Sequence, residues 1–351
     1  MKILTLNVGS SSVKYAYFND KELVDKKSYE RIKTIDERKE CLKKIKKEYT
    51  DADLVIHRIV HGKDITKTSF IDEELIKKLE EAKELAPLHV GPQLEIIKLS
   101  QELFDCKHIA VFDTAFHSTI PKKARIYGLP HKYFDKGIKK YGFHGINHKF
   151  VTREEKGKVI SLHLGSGCSI SAIKDNKSLE TSMGFTPLEG LIMGTRSGSL
   201  DPSIVPFILT HENTTVLEVI KILNKESGLL GISEKSNDLR DLLDSDDEKS
   251  KLAIDVFIYR IIKELGAYIT ILGGVDTIIF TGGIGENSAY IRKEILSSLS
   301  YLGVKIDKEL NKKNNSIIST DNSQVVVKIK KADEEQEMVI DGIKLWETTN
   351  K

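Results

Sequence analysis

The sequence predicts an α/β protein built from a duplicated domain. Strand-like and helix-like segments are mixed along the whole chain, which is typical of layered α/β folds. A strand, a Gly/Ser turn and a second strand also occur twice, at residues 6–18 and 162–174. Because such turns present backbone N–H groups and hydroxyls to anions, the repeat predicts two related halves that hold a phosphate between them. At a constant spacing of 156 positions the copies share Leu6/Leu162, Gly9/Gly165, Ser10/Ser166, Ala16/Ala172, Lys21/Lys177 and Leu23/Leu179.

Length and composition narrow the class of protein. A chain of 351 residues is long enough for two domains. Its net charge of +2 shows no large excess of basic residues of the kind that binds nucleic acid. The apolar run at residues 3–6 is too short for a signal peptide or a membrane span. The three cysteines are scattered and lack metal-ligand spacing. We therefore expect reduced thiols in a cytoplasmic protein that binds neither nucleic acid nor membrane.

In the first half, strands are predicted at residues 3–6, 13–18 and 108–112. Residues 72–85 carry apolar side chains at helical spacing, with Asp72 as the N-cap and Pro87 as the stop. Residues 92–104 predict a second helix that begins at a proline.

In the second half, a strand is predicted at residues 159–164 and a long helix at 251–272, which Gly273 and Gly274 end. A strand at 276–280 leads into the glycine turn 281–288 and a helix from Ala289. This arrangement places a helix N-terminus beside a ligand.

The glycine turns do not fit the P-loop pattern, so a phosphate would be gripped by the hairpin turns themselves. Asn7, Ser10, Ser12 and Lys14 line the first turn, and Lys14 adds a positive charge for phosphate oxygens.

Two arginines lie among small or apolar residues. Arg58 follows an apolar segment, and Arg196 is flanked by glycines at 194 and 198. Surface ion pairing is the commoner fate of an arginine. A guanidinium in apolar surroundings, however, needs a good anionic partner.

Histidines and carboxylates supply the remaining candidates. The spacings His57/His61 and His144/His148 would suit a metal on a helix, although glycine and strand-like residues in both stretches favour structural histidines. Asp113 follows a strand, and a carboxylate near a bound phosphate often indicates Mg²⁺. Glu334, judged by spacing alone, is a solvated charge.

Taken together, these stretches resemble the acetate kinase family, in ordered blocks from residue 1 to about 340. The matching segments are 7–14 (NVGSSSVK), 57–62 (HRIVHG), 86–89 (APLH), 111–117 (VFDTAFH), 141–145 (YGFHG), 163–165 (HLG), 181–190 (TSMGFTPLEG), 194–198 (GTRSG) and 280–288 (FTGGIGENS).

The resemblance implies duplicated ribonuclease-H-like domains of the actin-like ATPase type, with an interdomain nucleotide cleft. The expected domains are 1–117 plus 336–351, and 118–335. It also implies a homodimer that uses acetate and ATP/ADP as small-molecule substrates, with Mg²⁺, or Mn²⁺ in its place.

The roles that the resemblance implies fall into four groups. Arg58 and Arg196 hold the substrate carboxylate or the transferring phosphoryl group, His144 stabilises that group, and Asp113 is the catalytic carboxylate with an orienting or magnesium role. Asn7 and Glu334 match the magnesium region. The apolar pocket for the acetate methyl is matched by Val60, Leu88, Phe143 and Pro187. The expected nucleotide-binding residues are Ser10, Ser12, Lys14, His163, Gly165, Ser166, Gly167, Asp238, Leu239, Arg240, Gly282, Gly283, Ile284, Gly285 and Asn287.

Some positions depart from the family pattern, and alternatives stay open. Ser166 stands where the family usually has asparagine, which alters one phosphate contact. The same reaction on propionate or butyrate is the first alternative, because one methylene changes binding by only about 1–3 kcal/mol. A non-enzymatic ATPase switch is the second. A hydrolase that uses Ser166 or Cys168 is the third, and it lacks a G-x-S-x-G elbow.

Overall fold

A computed structural model of the protein describes residues 1–9, 12–32, 34–83 and 87–349, and for residues 87–89 it describes the backbone alone. The strands are β1 Lys2–Val8, β2 Ser12–Asn19, β3 Glu22–Glu30, β4 Leu54–Ile59, β5 Ser69–Phe70, β6 Lys107–Phe112, β7 Lys158–Leu164, β8 Cys168–Lys174, β9 Lys177–Thr181, β10 Thr277–Thr281 and β11 Val326–Ile329.

The helices alternate with these strands. They are α1 Ile35–Glu48, α2 Glu73–Ala82, α3 Pro87–Leu103, α4 Lys122–Arg125, α5 His131–Asp135, α6 Gly145–Thr152, α7 Ile204–His211, α8 Val216–Lys221, α9 Gly228–Ser233, α10 Leu239–Leu243, α11 Glu248–Leu272, α12 Gly282–Asn287, α13 Ala289–Ser297, α14 Lys308–Lys312 and α15 Glu334–Thr349, with short 3₁₀ segments at Phe116–Thr119 and Ser300–Leu302 and a π segment at Ile222–Glu226.

Packing divides the chain into two compact units. The first unit comprises Met1–Ser118, Phe143–Phe150 and Asp333–Lys351, and the second comprises Thr119–Gly142 and Val151–Ala332. Residues 143–150 thus pack with the first unit, whereas the sequence assigned them to the second domain. Within the described residues, no helix combines the length and apolar character that a membrane crossing requires.

The two units contain sheets that share the order of five strands, and the first sheet has β5 as an additional edge strand. In the first, the strand order is β3-β2-β1-β4-β6-β5, with β1 antiparallel to β2 and parallel to β4. In the second, the order is β9-β8-β7-β10-β11, with β7 antiparallel to β8 and parallel to β10. The shared order of antiparallel hairpin and parallel strands confirms the predicted duplication of an α/β domain.

The register of the two hairpins corrects one detail of the predicted repeat. In the first hairpin Val8 pairs with Val13, and in the second Leu164 pairs with Cys168, so the second turn is one residue shorter. The spacing of 156 therefore holds for the first strand and the start of the turn only. Ala16 lies opposite Thr5, whereas Ala172 lies opposite Ile160, and the matches after the turn are not structurally equivalent.

The core of the first unit lies on both faces of its sheet. One face packs on α1 and α3 through residues such as Leu4, Leu42 and Ile96. The other packs on α15 through residues such as Ile56 and Met338. Helices therefore cover both faces of the sheet, as expected for a sheet with parallel strands.

Helix ends follow the predicted capping chemistry. The Asp72 side chain accepts a hydrogen bond from the backbone N–H of Leu75 at the start of α2. Helix α11 begins after Asp247 and ends at Gly273, whose φ of 66° is the left-handed conformation that glycine adopts without strain.

Helix α3 and the glycine turn after β10 differ from the prediction. Helix α3 begins at Pro87 and contains Pro92, because either proline can occupy a first helical turn and the earlier one does so here. Residues 282–287, predicted as a turn, form α12.

Candidate functional site

Strand alternation brings four polar side chains together in the first unit. Ile3, Ile56 and Val111 on the parallel strands β1, β4 and β6 pack toward α15. Because side chains on one face recur at every second position, Asn7, Arg58 and Asp113 face the same side at the carboxyl ends of these strands. There they meet Glu334, the first residue of α15. We call these four residues the Arg58 cluster.

Arg58 is the centre of this cluster. Its Nε and Nη2 donate to the two carboxylate oxygens of Asp113, at 3.2 and 2.7 Å. Its Nη1 donates to Asn7 Oδ1 at 3.1 Å and lies 2.9 Å from Glu334 Oε2. Asn7 Nδ2 donates to the same Glu334 oxygen at 3.3 Å. Glu334 is thus an ion-pair partner of a largely buried arginine, and its reading as a solvated charge is wrong.

Burial and charge both shift the pKa values in the cluster. Burial raises the pKa of Asp113 to about 6, Arg58 opposes this shift, and the negative charge of Glu334 adds to it. Burial alone would lower the pKa of Arg58, but Asp113 and Glu334 raise it overall. The cluster holds two carboxylates and one guanidinium, so its negative charge exceeds its positive charge.

The donor set of the cluster suits Mg²⁺. Asn7, Asp113 and Glu334 offer amide and carboxylate oxygens, which are hard ligands of the kind Mg²⁺ prefers. Among the described residues, no group of three or more His, Cys, Asp and Glu forms a metal site by itself. A cation held by one or two carboxylates together with substrate phosphates requires no such group.

The segment 143–145 is held against Asp113. The backbone N–H of Gly145 donates to the Asp113 carbonyl at 3.1 Å, and a Cβ at Gly145 would come within 2.0 Å of that oxygen. His117 Nε2 donates to the Phe143 carbonyl at 3.0 Å. His144 itself has a φ of 55°, which is uncommon for a residue other than glycine and is enriched at functional sites.

The four residues predicted to form the apolar pocket are divided between the two units. Phe143 is fully buried and Val60 is half-buried in the first unit, and Pro187 is half-buried in the second. Leu88 lies on α3 with its side chain outside the described residues, so the common role of these four residues stays a prediction. Ser10, which is predicted to bind the nucleotide, lies outside the described residues altogether.

The described residues of the first hairpin turn, Gly9 and Ser12, form a close backbone contact. The backbone N–H of Gly9 donates to the Ser12 carbonyl at 2.9 Å. Lys14 lies directly opposite Asn7 in the ladder, and its side chain is exposed. Lys14 therefore stands beside the Arg58 cluster with its charge open to solvent.

The second unit contains a cavity of about 480 Å³, within the range of small-molecule sites. The structure brings into this lining eight of the predicted nucleotide-binding residues: Gly165, Ser166, Asp238, Leu239, Arg240, Gly283, Ile284 and Asn287. We call it the second-unit cavity. Gly167, Gly282 and Gly285 lie next to lining residues in the chain, and His163 lies two positions before Gly165.

Sequence reasoning missed three lining residues of this cavity, Asn237, Leu243 and Ser288. Asn237 and Ser288 each adjoin a predicted residue, so a wider reading of the same motifs could have found them. Leu243 carries no signal other than its place four positions after Leu239, on the same face of α10.

Glycines shape the wall of the cavity. Gly282 has a φ of 78°, and a Cβ there would lie 2.7 Å from the Leu164 carbonyl. A Cβ at Gly283 would meet no atom within 4 Å. Gly282 is therefore required by the backbone, whereas Gly283 leaves open space in the cavity.

Arg196 differs from Arg58 in its partners. Its Nη1 donates to the Pro187 carbonyl at 3.3 Å and contacts Met193 Sδ at 3.5 Å. No carboxylate of the described residues pairs with it. Burial lowers the pKa of Arg196, and the Cys168 thiol opposes this. A half-buried guanidinium with only neutral partners is suited to bind an anion.

Comparison with known proteins places the chain among relatives of one family. The model described as the acetokinase family matches residues 26–340. The acetate kinase of Thermoanaerobacterium thermosaccharolyticum is 42% identical, over an alignment that covers 99% of this chain and 100% of that relative.

Solved structures agree in fold over nearly the whole chain. A propionate kinase from Francisella tularensis has a TM-score of 0.88 at 36% identity, covering 97% of this chain and 98% of that one. The acetate kinase of Porphyromonas gingivalis has a TM-score of 0.88 at 33% identity, covering 98% and 99%. These structures support an actin-like ATPase fold for both units.

Proposed function

We propose that this chain, which belongs to the acetokinase family, transfers the γ-phosphoryl group of ATP reversibly to acetate, giving acetyl phosphate and ADP. The observation that carries the proposal is Arg196, a half-buried guanidinium without a carboxylate partner among the described residues. A site that keeps such a cation at the cost of desolvation is prepared for an anionic ligand. Acetate and a transferring phosphoryl group are both anions.

The proposed chemistry is direct in-line transfer. A carboxylate oxygen of acetate attacks the γ-phosphorus, the bond to the bridging oxygen breaks, and ADP leaves with that oxygen. Acetate is ionised at neutral pH, so Asp113 does not need to act as a base. Negative charge spreads over the equatorial oxygens, and Arg196 and His144 are proposed to stabilise it.

In this proposal the Arg58 cluster holds the divalent ion and the acid. Asn7, Asp113 and Glu334 would hold Mg²⁺, or Mn²⁺, which when bound neutralises phosphate charge. Arg58 is proposed to bind the substrate carboxylate. Four contacts already engage its Nε, Nη1 and Nη2 atoms, so binding the acid requires exchange of one contact or use of the remaining N–H on Nη2.

The second-unit cavity is proposed to bind the nucleotide. Asp238, Leu239 and Arg240 line it with Gly283 and Ile284, as the family resemblance implies for the adenosine pocket. The exposed Ser166 takes the place of the usual asparagine and offers a shorter hydroxyl. We therefore propose that phosphate contact at this turn relies more on backbone N–H groups.

Propionate is the second candidate acid, since the Francisella tularensis relative of similar fold is a propionate kinase. A hydroxamate assay with ATP, Mg²⁺ and acetate, propionate or butyrate in parallel tests the choice. We expect the highest kcat/KM with acetate. Equal values for the three acids would remove the acetate assignment and leave the kinase assignment, whereas no acyl phosphate from any acid would remove both.

We also propose a cytoplasmic homodimer. Large apolar side chains are exposed on neighbouring helices of the second unit, with Phe207 on α7 60% exposed and Leu217 on α8 78% exposed. An exposed apolar patch of this kind suits a self-association surface. Light scattering during gel filtration should give twice the chain mass. A monomer for the wild type, or an unchanged dimer for Leu217→Lys, would contradict this surface.

A further inference from the structure

The chain between Thr181, where β9 ends, and Ile204, where α7 begins, contains no helix or strand. It nevertheless carries Pro187 and Arg196. Backbone without a ladder of hydrogen bonds needs other contacts to fix it. The contacts that hold this stretch therefore decide where Arg196 lies.

One hydroxyl group joins both ends of the loop 185–189. Tyr127 Oη accepts a hydrogen bond from the Phe185 backbone N–H at 2.7 Å, and it donates to the Glu189 carboxylate. The hydroxyl thus uses its donor and an acceptor position at once. Burial and the Glu189 charge raise the pKa of Tyr127, so its proton stays available for donation.

The loop is packed too closely for another residue at its entrance. A Cβ at Gly184 would lie 1.6 Å from Glu189 Oε2 and 2.3 Å from Tyr127 Oη. The Gly184 carbonyl also accepts from the backbone N–H groups of Tyr141 and Gly142, at 3.0 and 3.2 Å. The entrance is therefore anchored to two separate parts of the second unit.

Pro187 lies at the middle of this closed loop. Its carbonyl accepts the 3.3 Å hydrogen bond from Arg196 Nη1, and it is the one oxygen acceptor of that guanidinium among the described residues. A proline has no N–H with which to anchor itself. The position of its carbonyl depends on the loop ends, and both ends form a hydrogen bond with the Tyr127 hydroxyl.

We propose that Tyr127 is a positioning residue for Arg196 and for the choice of acid. Its hydroxyl closes the loop 185–189, which fixes the Pro187 carbonyl on which the Arg196 guanidinium rests. This inference depends on the proposed function for its kinetic consequence. Its structural content, that the Tyr127 hydroxyl holds Arg196 in place, does not.

The kinetic test is Tyr127→Phe, which removes only the hydroxyl. We expect the KM for acetate to rise about tenfold, the scale of one lost hydrogen bond, and the ratio of kcat/KM between acetate and propionate to fall. The KM for ATP should stay within about twofold, because the loop does not line the second-unit cavity. Tyr17→Phe is the matched control, since it loses a hydroxyl bond to the Asp51 carboxylate in the first unit.

Two further variants separate positioning from general weakening. Glu189→Gln keeps a carbonyl oxygen that can accept from Tyr127 and should retain most of the wild-type KM, whereas Glu189→Ala should resemble Tyr127→Phe. In an Arg196→Ala background, Tyr127→Phe should raise the KM for acetate little further, because both changes act on the same guanidinium. An unchanged KM for acetate, an equal rise in the KM for ATP, or full additivity with Arg196→Ala would overturn the inference.

A crystal structure of Tyr127→Phe gives a readout that does not depend on activity. The inference predicts that the Arg196 guanidinium leaves the Pro187 carbonyl. An unmoved guanidinium would refute it even if the wild type proves inactive. A wild type that forms no acyl phosphate, together with a displaced guanidinium in the variant, would refute only the proposed function. If Tyr127→Phe does not fold, the same comparison is made with Glu189→Ala.

Discussion

At the scale of single residues, the two candidate arginines differ in the groups that they contact. Arg58 is tied to two carboxylates, Asp113 and Glu334, within the first unit. Arg196 rests on a carbonyl and a thioether in the second. Breaking a buried ion pair leaves an uncompensated charge, whereas removing a cation that has only neutral partners does not.

Matched alanine variants test this difference. Arg58→Ala should lower the free energy of unfolding by about 3–5 kcal/mol, because Asp113 and Glu334 lose their partner. Arg196→Ala should cost about 1 kcal/mol, within the usual range for a partly exposed side chain. Urea unfolding of both variants measures the contrast. Equal losses of stability would show that the pairing around Arg58 contributes nothing.

Turnover should fall in both arginine variants and in His144→Ala. Each residue is proposed to act on the acid or on the transferring group, so kcat should fall by at least about 100-fold while ATP binding changes little. Turnover assays and nucleotide titration measure the two effects. Near-normal turnover in all three variants would contradict the site assignment.

The carboxyl of Asp113 predicts a pH dependence of stability. Its pKa of about 6 in the folded protein exceeds the ordinary value of 3.8. Between these values the folded state keeps a proton on Asp113 that the unfolded state has lost, so the contribution of Asp113 to the free energy of unfolding falls as the pH rises from about 4 to about 6. The loss is on the order of 3 kcal/mol.

Asp113→Asn should remove this dependence, since the amide does not titrate. Urea unfolding of both proteins between pH 4 and 7, with a chelator present, measures the difference in slope. Parallel curves for the wild type and the variant would rule out a raised pKa at Asp113.

Sequence alone identified most of the single residues but not their partners. Asn7, Arg58 and Asp113 were each singled out from local motifs. Spacing alone indicates a solvated charge at Glu334, because an acidic run at a helix start looks like a surface feature, and only the family resemblance assigns this residue to the magnesium region. Its pairing joins positions more than 270 residues apart in the chain, Arg58 and Glu334. Local spacing carries no information about such a contact.

At the scale of elements, α12 begins with two glycines of different kinds. One is required by the backbone conformation, and the other borders empty space. Gly282 has a left-handed backbone and touches the Leu164 carbonyl, whereas Gly283 faces empty space in the second-unit cavity. The first is needed for folding. The second is proposed to be needed for the ligand.

Gly283→Val should therefore leave stability nearly unchanged and weaken nucleotide binding at least tenfold, because the new side chain enters the cavity. Gly266→Val on α11 is the matched control, since a Cβ there also meets nothing within 4 Å and lies outside the cavity lining. Thermal unfolding and titration with a fluorescent ATP analogue measure both properties. Nucleotide binding by Gly283→Val equal to that of the control would place the nucleotide elsewhere.

Element prediction succeeded where periodicity was strong and failed where it was weak. Helices α2 and α11 are predicted with one cap each, Asp72 at the start of α2 and Gly273 at the end of α11, because apolar spacing and capping residues agree there. Strand β3 was not predicted, since Glu22–Glu30 forms a polar edge strand without a buried residue. Its pairing with β2 comes from tertiary context rather than from its own side chains.

At the scale of the whole molecule, the sequence predicts that a domain is duplicated but does not align the two copies correctly beyond the turn. The paired turns at Gly9 and Gly165 do close equivalent hairpins in sheets that share the order of five strands. The shorter second turn breaks the alignment after it, and identical residues there are coincidental. The assignment of 143–150 to the first unit depends on long-range packing that a linear reading does not contain.

The whole assignment depends on one reaction, the transfer of a phosphoryl group from ATP to acetate rather than to water. Phosphorus NMR of the purified protein with ATP, Mg²⁺ and acetate measures this reaction. Acetyl phosphate should appear in step with ADP, and only when acetate is present. Release of ADP and inorganic phosphate at the same rate with and without acetate would contradict it and would indicate an ATPase switch.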